Sequence, residues 1–142
     1  MNNWTPKSIL LLRHYNRAAL LADAIAGVTV GLVSVFRIHG PFLFGASDKI
    51  KTVLDNADAL APIVIMRLRN MTAIDATGLR ALEDLADVLH RTRRTLILCG
   101  APKQPATLMR LAEFHEHVGA ENICPNIEAA LRRAAAVHAL AA

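Results

Sequence analysis

Apolar and polar positions along this chain follow two different periods, and the places where one gives way to the other mark its elements. Ile63-Val64-Ile65-Met66-Arg67-Leu68-Arg69 is a largely apolar run of strand length, the pattern of a buried central strand. Further on, Leu79, Leu82, Leu85, Ala86 and Leu89 recur at helical spacing, with Arg80, Glu83, Asp84, Asp87 and His90 on the other side. That spacing predicts an amphipathic helix running to about Arg91. Ile74-Asp75-Ala76-Thr77-Gly78-Leu79 joins the two. Asp75 is placed to cap the helix, and Gly78 lets another surface approach its first turn closely. Thr77 sets a hydroxyl beside free backbone N–H groups, where the helix dipole favours an anion.

The same reading orders the rest of the chain. Val35-Phe36-Arg37-Ile38-His39 alternates as a two-faced strand, Gly40-Pro41 is a turn signal, and Phe42-Leu43-Phe44 is a second short strand expected to pair with the first. Ser47-Asp48 opens a helix whose apolar face is Ile50, Val53, Leu54, Ala57 and Leu60. Arg67 and Arg69 share one face of the central strand, so that face reaches water or an acidic partner near the strand's end. Thr95-Leu96-Ile97-Leu98-Cys99 is another apolar strand, and a strand–helix–strand order implies parallel pairing across the crossover. A helix with Leu108, Met109, Leu111, Ala112 and either His115 or Phe114 inward follows, ended by Gly119. Asn122-Ile123-Cys124-Pro125 fits a short edge strand, and Asn126 caps a last helix through Ala129, Ala130, Leu131, Ala134 and Val137, with an Ala-rich tail expected to fray. The fold class is therefore α/β, with helices mainly on one side of the sheet.

Composition narrows the chemistry. Of the 142 residues, 54% are apolar but only 4% aromatic, so the core is built from Leu, Ile, Val, Ala and Met. The net charge is +4, yet Arg91, Arg93 and Arg94, and again Arg132 and Arg133, read as solvated helix ends with no stacking aromatics between them, so nucleic acid is not an expected partner. Cys99 and Cys124 lie in apolar runs without metal spacing and read as small core residues of a reducing compartment. The histidines form no metal array, and His115 and His117, two apart on a helix, point to different faces. No metal and no cofactor are expected. Nor is an enzyme: Asp75 and Thr77 have no third group to orient them, and the chain shows no nucleophile–base pair or phosphate loop.

Residues 1–34 read differently. Lys7, Arg13 and Arg17 precede the first acid, Asp23, and residues 24–36 are thirteen uncharged positions, short of the roughly 20 that a membrane span needs. The stretch fits a helical leader lying on a membrane surface, with Trp4 and Tyr15 at the interface and the bases near anionic lipid. A cleaved signal peptide and a poorly ordered tail are the alternatives.

Two resemblances bear on function. Asn3-Trp4-Thr5-Pro6-Lys7, Leu12-Arg13-His14-Tyr15-Asn16-Arg17 and Leu21-Ala22-Asp23-Ala24-Ile25-Ala26-Gly27-Val28-Thr29-Val30-Gly31-Leu32-Val33 resemble the start of SulP-family anion transporters, where a basic cytoplasmic leader meets the first membrane helix. That likeness stops after Val33. From residue 35 onward, Asp75-Ala76-Thr77-Gly78-Leu79 after a hydrophobic strand, Gly40-Pro41-Phe42-Leu43-Phe44, Cys99-Gly100 and Glu121-Asn122-Ile123-Cys124-Pro125-Asn126-Ile127-Glu128-Ala129-Ala130-Leu131 resemble the STAS domain, the anti-sigma-factor-antagonist fold.

The resemblance implies a STAS-type mixed sheet of four to five strands with about four helices over 35–142, behind a SulP-like leader over 1–34. It implies a non-catalytic cytoplasmic regulatory domain, found at the inner face of the membrane, from a transporter lacking most of its membrane part. Its partner would be a transporter membrane domain or another cytoplasmic protein. A free-standing anti-sigma factor antagonist is the alternative, with Thr77 as phosphoacceptor for a kinase partner. Asp75, Ala76, Thr77, Gly78 and Leu79 match the family's recognition loop, and Ala76 departs from the Asp-Ser-Ser-Gly form of the antagonists toward that of transporter domains. An anion or nucleotide at the Asp75–Gly78 helix start is a further expected ligand. Transport by this chain alone is not expected, since one short apolar run cannot enclose a pathway.

Overall fold

A computed structural model describes residues 31–44 and 46–141. Residues 32–142 form one compact unit. Apart from its last four residues, the expected leader lies outside the described residues. The elements are β1 (Val33–Phe42), α1 (Ala46–Asp55), a 3-10 turn (Ala57–Ala59), β2 (Ile63–Ile74), α2 (Ala76–Arg91), β3 (Thr95–Cys99), α3 (Lys103–Leu111), α4 (His115–Val118), a second 3-10 turn (Ala120–Asn122), β4 (Ile123–Cys124) and α5 (Ile127–Ala141). The sheet order is β1-β2-β3-β4. Every pairing among the described residues is parallel, including the β2–α2–β3 crossover.

The sheet has two unequal cores. Val64, Met66, Leu68, Met71 and Ile74 of β2 and Leu96 and Leu98 of β3 pack with α1, α2, α3 and Phe114, while Ile63, Ile65, Ile97 and Cys99 turn the other way against Ala130 and Ala134 of α5. The near-continuous apolar character of β2 and β3 follows, because both faces are covered. Leu79, Leu82, Leu85, Ala86 and Leu89 are all buried, as their spacing predicts.

The expected hairpin at Gly40-Pro41 is absent. β1 runs through both residues to Phe42, and Phe44 is 89% exposed rather than part of a second strand. Gly40 adopts a positive φ of 76° inside the strand, and the register with β2 shifts there and again between Arg37 and His39. The two turn residues are absorbed as an irregularity of an edge strand, where proline's missing N–H is tolerated.

The two shifts also carry β2 past Arg69. Val33–Phe42 pairs with Ile63–Ile74, so ten residues face twelve, and the two extra residues lie in β2. Leu68 and Met71, three apart, are both in the larger core, with Arg69 and Asn70 both exposed between them. The bulges break the period-2 pattern over 70–73, which is why alternation ends the strand too early.

Three smaller corrections complete the picture. Phe114, not His115, is inward and fully buried, while Leu111 is 67% exposed. The chain breaks there, with Glu113 at a φ of 54°, and restarts as the short α4, which ends at Gly119. The apolar helix expected from Ile50 to Leu60 ends as α-helix at Asp55. Asn126 does cap α5, accepting the Ala129 N–H at 2.9 Å, and α5 is helical to Ala141.

Candidate functional site

The end of β2 delivers the chain directly to the start of α2, with one residue between them. That residue, Asp75, is extended (φ −111°, ψ −178°), and its Oδ1 accepts the Gly78 N–H at 2.7 Å. Its main-chain carbonyl accepts the Leu79 N–H at 2.9 Å. The cap satisfies one of the donors that a helix start leaves free and brings a negative charge to the positive end of the dipole.

Gly78 is buried against the last residue of β1. A β-carbon there would overlap the Phe42 carbonyl oxygen and lie 3.0 Å from both Ile74 Cγ1 and the Phe42 ring. Phe42 is also the register partner of Ile74. Two strand ends and a helix start thus meet at one glycine, and the close approach expected of Gly78 is to Phe42.

A third anchor carries no sequence signal. The β2–β3 pairing stops at Arg67–Cys99, so the outer part of β2 has no β3 neighbour. Gln104 of α3 takes that place: its Oε1 accepts the Ile74 N–H at 3.1 Å and its Nε2 donates to the Ile74 carbonyl at 2.9 Å. The side-chain amide acts as one further rung of sheet.

Held on three sides, the loop divides cleanly. Asp75 is half-buried, Gly78 and Leu79 are buried, and Ala76 and Thr77 are exposed on the first turn of α2. No hydrogen bond of the Thr77 hydroxyl is found among the described residues, so the cap is made by Asp75 and not by Thr77.

The remaining charged and sulfur groups are structural or lie apart. Arg94 donates to the carbonyls of Leu60, Thr92 and Asp58, and Arg133 to Asn122 Oδ1 at 2.8 Å with Glu121 Oε1 at 3.3 Å. These two tie loops together, where the sequence reads them as solvated. His117 meets Asp87 at 3.2 Å. His39 is exposed and bonds Asn70 across the strands at 3.2 Å. Cys99 and Cys124 are register partners on β3 and β4 and both are free thiols. Burial pushes both up from the ordinary thiol pKa, which leaves them protonated and weakly nucleophilic at neutral pH. Among the described residues no helix is long and apolar enough to cross a membrane, and no cluster of metal-ligating side chains occurs.

The family model of the STAS domain matches residues 24–130. The chain belongs to the STAS domain family. No curated protein matches it. Among solved structures, this STAS domain is similar to a sulfate transporter family protein from Wolinella succinogenes, with 31% identity and a TM-score of 0.68 over 74% of this chain and 86% of that one. It is similar to the STAS domain of a SulP transporter from Vibrio cholerae, with 27% identity and a TM-score of 0.63 over 76% of this chain and 83% of that one. It shares its fold with a putative anti-sigma factor antagonist from Thermotoga maritima, at 13% identity and a TM-score of 0.64 over 72% and 86% of the two chains. The domain is thus related to those of SulP transporters and has the fold of the antagonists.

Proposed function

We propose that this STAS domain is a non-catalytic regulatory and protein-interaction domain of SulP-type sulfate or related inorganic-anion transport. It works at the cytoplasmic face of the membrane, and its partner is a transporter membrane domain or another cytoplasmic protein. Residues 75–79 are its recognition loop, residues 35–142 the regulatory domain, and residues 1–34 a leader that meets the membrane surface. The observation that carries the reading is the rigid presentation of Ala76 and Thr77. Both are exposed, while Asp75, Gly78 and Ile74 around them are fixed by a cap, by contact with Phe42 and by Gln104. A pre-ordered loop loses little conformational freedom on binding, which favours docking there. The likeness to the Wolinella and Vibrio proteins supports the choice of partner.

The test is co-purification of the full chain with a SulP membrane domain expressed beside it. The wild-type chain is expected to co-purify with the detergent-extracted membrane domain, and Ala76→Arg is expected to be lost from it with an unchanged melting temperature. A wild-type chain that does not co-purify with the membrane domain, or an Ala76→Arg chain that follows it equally well, overturns the reading.

The exposed Thr77 hydroxyl supports a second reading, an anti-sigma factor antagonist switched by a kinase. A phosphate on Thr77 would add about −1.5 to −2 charge at a helix N-terminus, which favours it. The Asp75 carboxylate, already on the Gly78 N–H, would oppose it by repulsion. The same carboxylate disfavours a free anion or nucleotide at the Asp75–Gly78 helix start. Phosphorylation of Thr77 by an anti-sigma kinase, seen by mass spectrometry and abolished in Thr77→Ala, would establish this second reading.

A further inference from the structure

A second group of polar residues stands apart from the loop, on the side of the sheet that carries α5. Arg37 and Arg67 are register partners on adjacent parallel strands, and Arg69, two residues further along β2, lines the same cleft. The bulge after Arg67 keeps Asn70 exposed beside them, and His39 holds Asn70 from the neighbouring strand at 3.2 Å. Arg37, Arg67, Arg69 and Asn70 together line a cleft of about 60 Å³.

Three features set this group against ordinary surface charge. Like charges facing each other on adjacent strands cost stability rather than add it, so the fold alone gives no reason to place Arg37 opposite Arg67. Arg67 is half-buried, and a partly desolvated guanidinium is costly without a counter-charge. Among the described residues the ion pairs engage Arg80, His117 and Arg133, and none reaches Arg37, Arg67 or Arg69. Glu128, at the start of α5, is near enough to act on the Cys99 thiol, as Arg67 does, but it pairs with none of the three.

We propose that Arg37, Arg67, Arg69 and Asn70 form a binding site for one tetrahedral oxyanion: phosphate, sulfate or the phosphate of a small monoester. Guanidinium groups present planar forks that match such oxygens two at a time. The cleft exceeds the 10–15 Å³ that a single water needs and suits one small polyatomic anion. A dianion there relieves the repulsion between Arg37 and Arg67 and supplies a counter-charge that Arg67 does not find among the described residues. The site does not depend on the Asp75–Leu79 loop or on any reading of it.

The experiment titrates the full chain with inorganic phosphate, sulfate and glycerol phosphate, holding ionic strength constant with chloride and following the arginine Nε–H resonances by NMR. Saturable shifts at Arg37, Arg67 and Arg69 are expected, with affinity falling about tenfold or more in Arg67→Gln. Arg80→Gln, which removes one charge from the already paired Arg80 on α2, is expected to bind like wild type. Tighter binding of glycerol phosphate than of phosphate assigns the site to an ester, and the reverse assigns it to the free ion. If Arg67→Gln does not fold, the double variant Arg37→Gln/Arg69→Gln, at two exposed positions, is expected to show the same loss. Equal shifts with chloride alone, or binding that survives loss of the arginines, overturns the proposal.

Discussion

At the scale of single residues, Asp75 and Gly78 act on the same helix start through different physics. Asp75 contributes a hydrogen bond and a charge, and Gly78 contributes the absence of an atom. Replacing Asp75 by Ala removes the bond to the Gly78 N–H and is expected to cost about 1 kcal/mol, the usual value of an N-cap. Asp75→Asn keeps the acceptor and is expected to cost much less, which separates capping from charge. Gly78→Ala is expected to cost more, about 1–3 kcal/mol, because the new methyl meets the Phe42 carbonyl, and a backbone atom in a strand cannot turn aside as a side chain can. Thr77→Ala, at an exposed position with no described partner, is expected to stay within about 0.5 kcal/mol of wild type. Urea denaturation of the four variants measures all of this. A Gly78→Ala protein as stable as wild type would show that the close approach of β1 and α2 does not depend on that one missing atom.

At the scale of elements, β2 is longer than its apolar run, and its outer end is held by a side chain. Gln104 bonds both backbone groups of Ile74. Gln104→Ala is expected to cost about 1–3 kcal/mol, the penalty of leaving such groups unpaired. It is also expected to speed hydrogen exchange at the Ile74 amide while the middle of α2 keeps its protection. Exchange unchanged at Ile74 would show that β1 alone secures the strand end. This element also marks the limit of what the sequence can show. Ile63–Arg69, the helix after Asp75, the stop at Gly119 and the Asn126 cap are legible because each is a local pattern of burial or capping. Asn70–Ala73 is not, because two bulges destroy the alternation that would reveal a strand. Gly40-Pro41 misleads because the signature of a turn is here the signature of an irregular edge strand. Gln104 leaves no trace and Phe42 is legible only as a strand residue, since each meets the loop across thirty or more residues of chain and neither contact stands in a recurring pattern. The arginine face is half legible: Arg67 and Arg69 share it by spacing, while Arg37 joins only through the register of β1 with β2.

At the scale of the whole molecule, the two sides of the sheet differ in how they are sealed. The larger core closes with bulky groups, Phe42 and Phe114 among them, whereas the smaller one sets the alanines of α5 against Ile63, Ile65, Ile97 and Cys99. Small side chains let α5 approach closely and bury the Cys99 thiol, and that burial raises its pKa, with Arg67 opposing the shift. The consequence is a pH dependence of global stability. A thiol with a raised pKa in the folded state binds its proton more tightly there than in the unfolded chain, so stability is intact below the ordinary thiol pKa. As pH rises past that value the unfolded chain ionises first, and stability falls until the folded thiol itself ionises. Urea denaturation from about pH 8 to about pH 10 is expected to show a midpoint that declines with pH, and Cys99→Ala is expected to decline less steeply from a lower start. The comparison between the two proteins isolates the thiol from lysines and the tyrosine, which titrate in both. Parallel declines would mean that Cys99 ionises as readily in the folded protein as in the unfolded chain, and that α5 does not seal its side of the sheet against water.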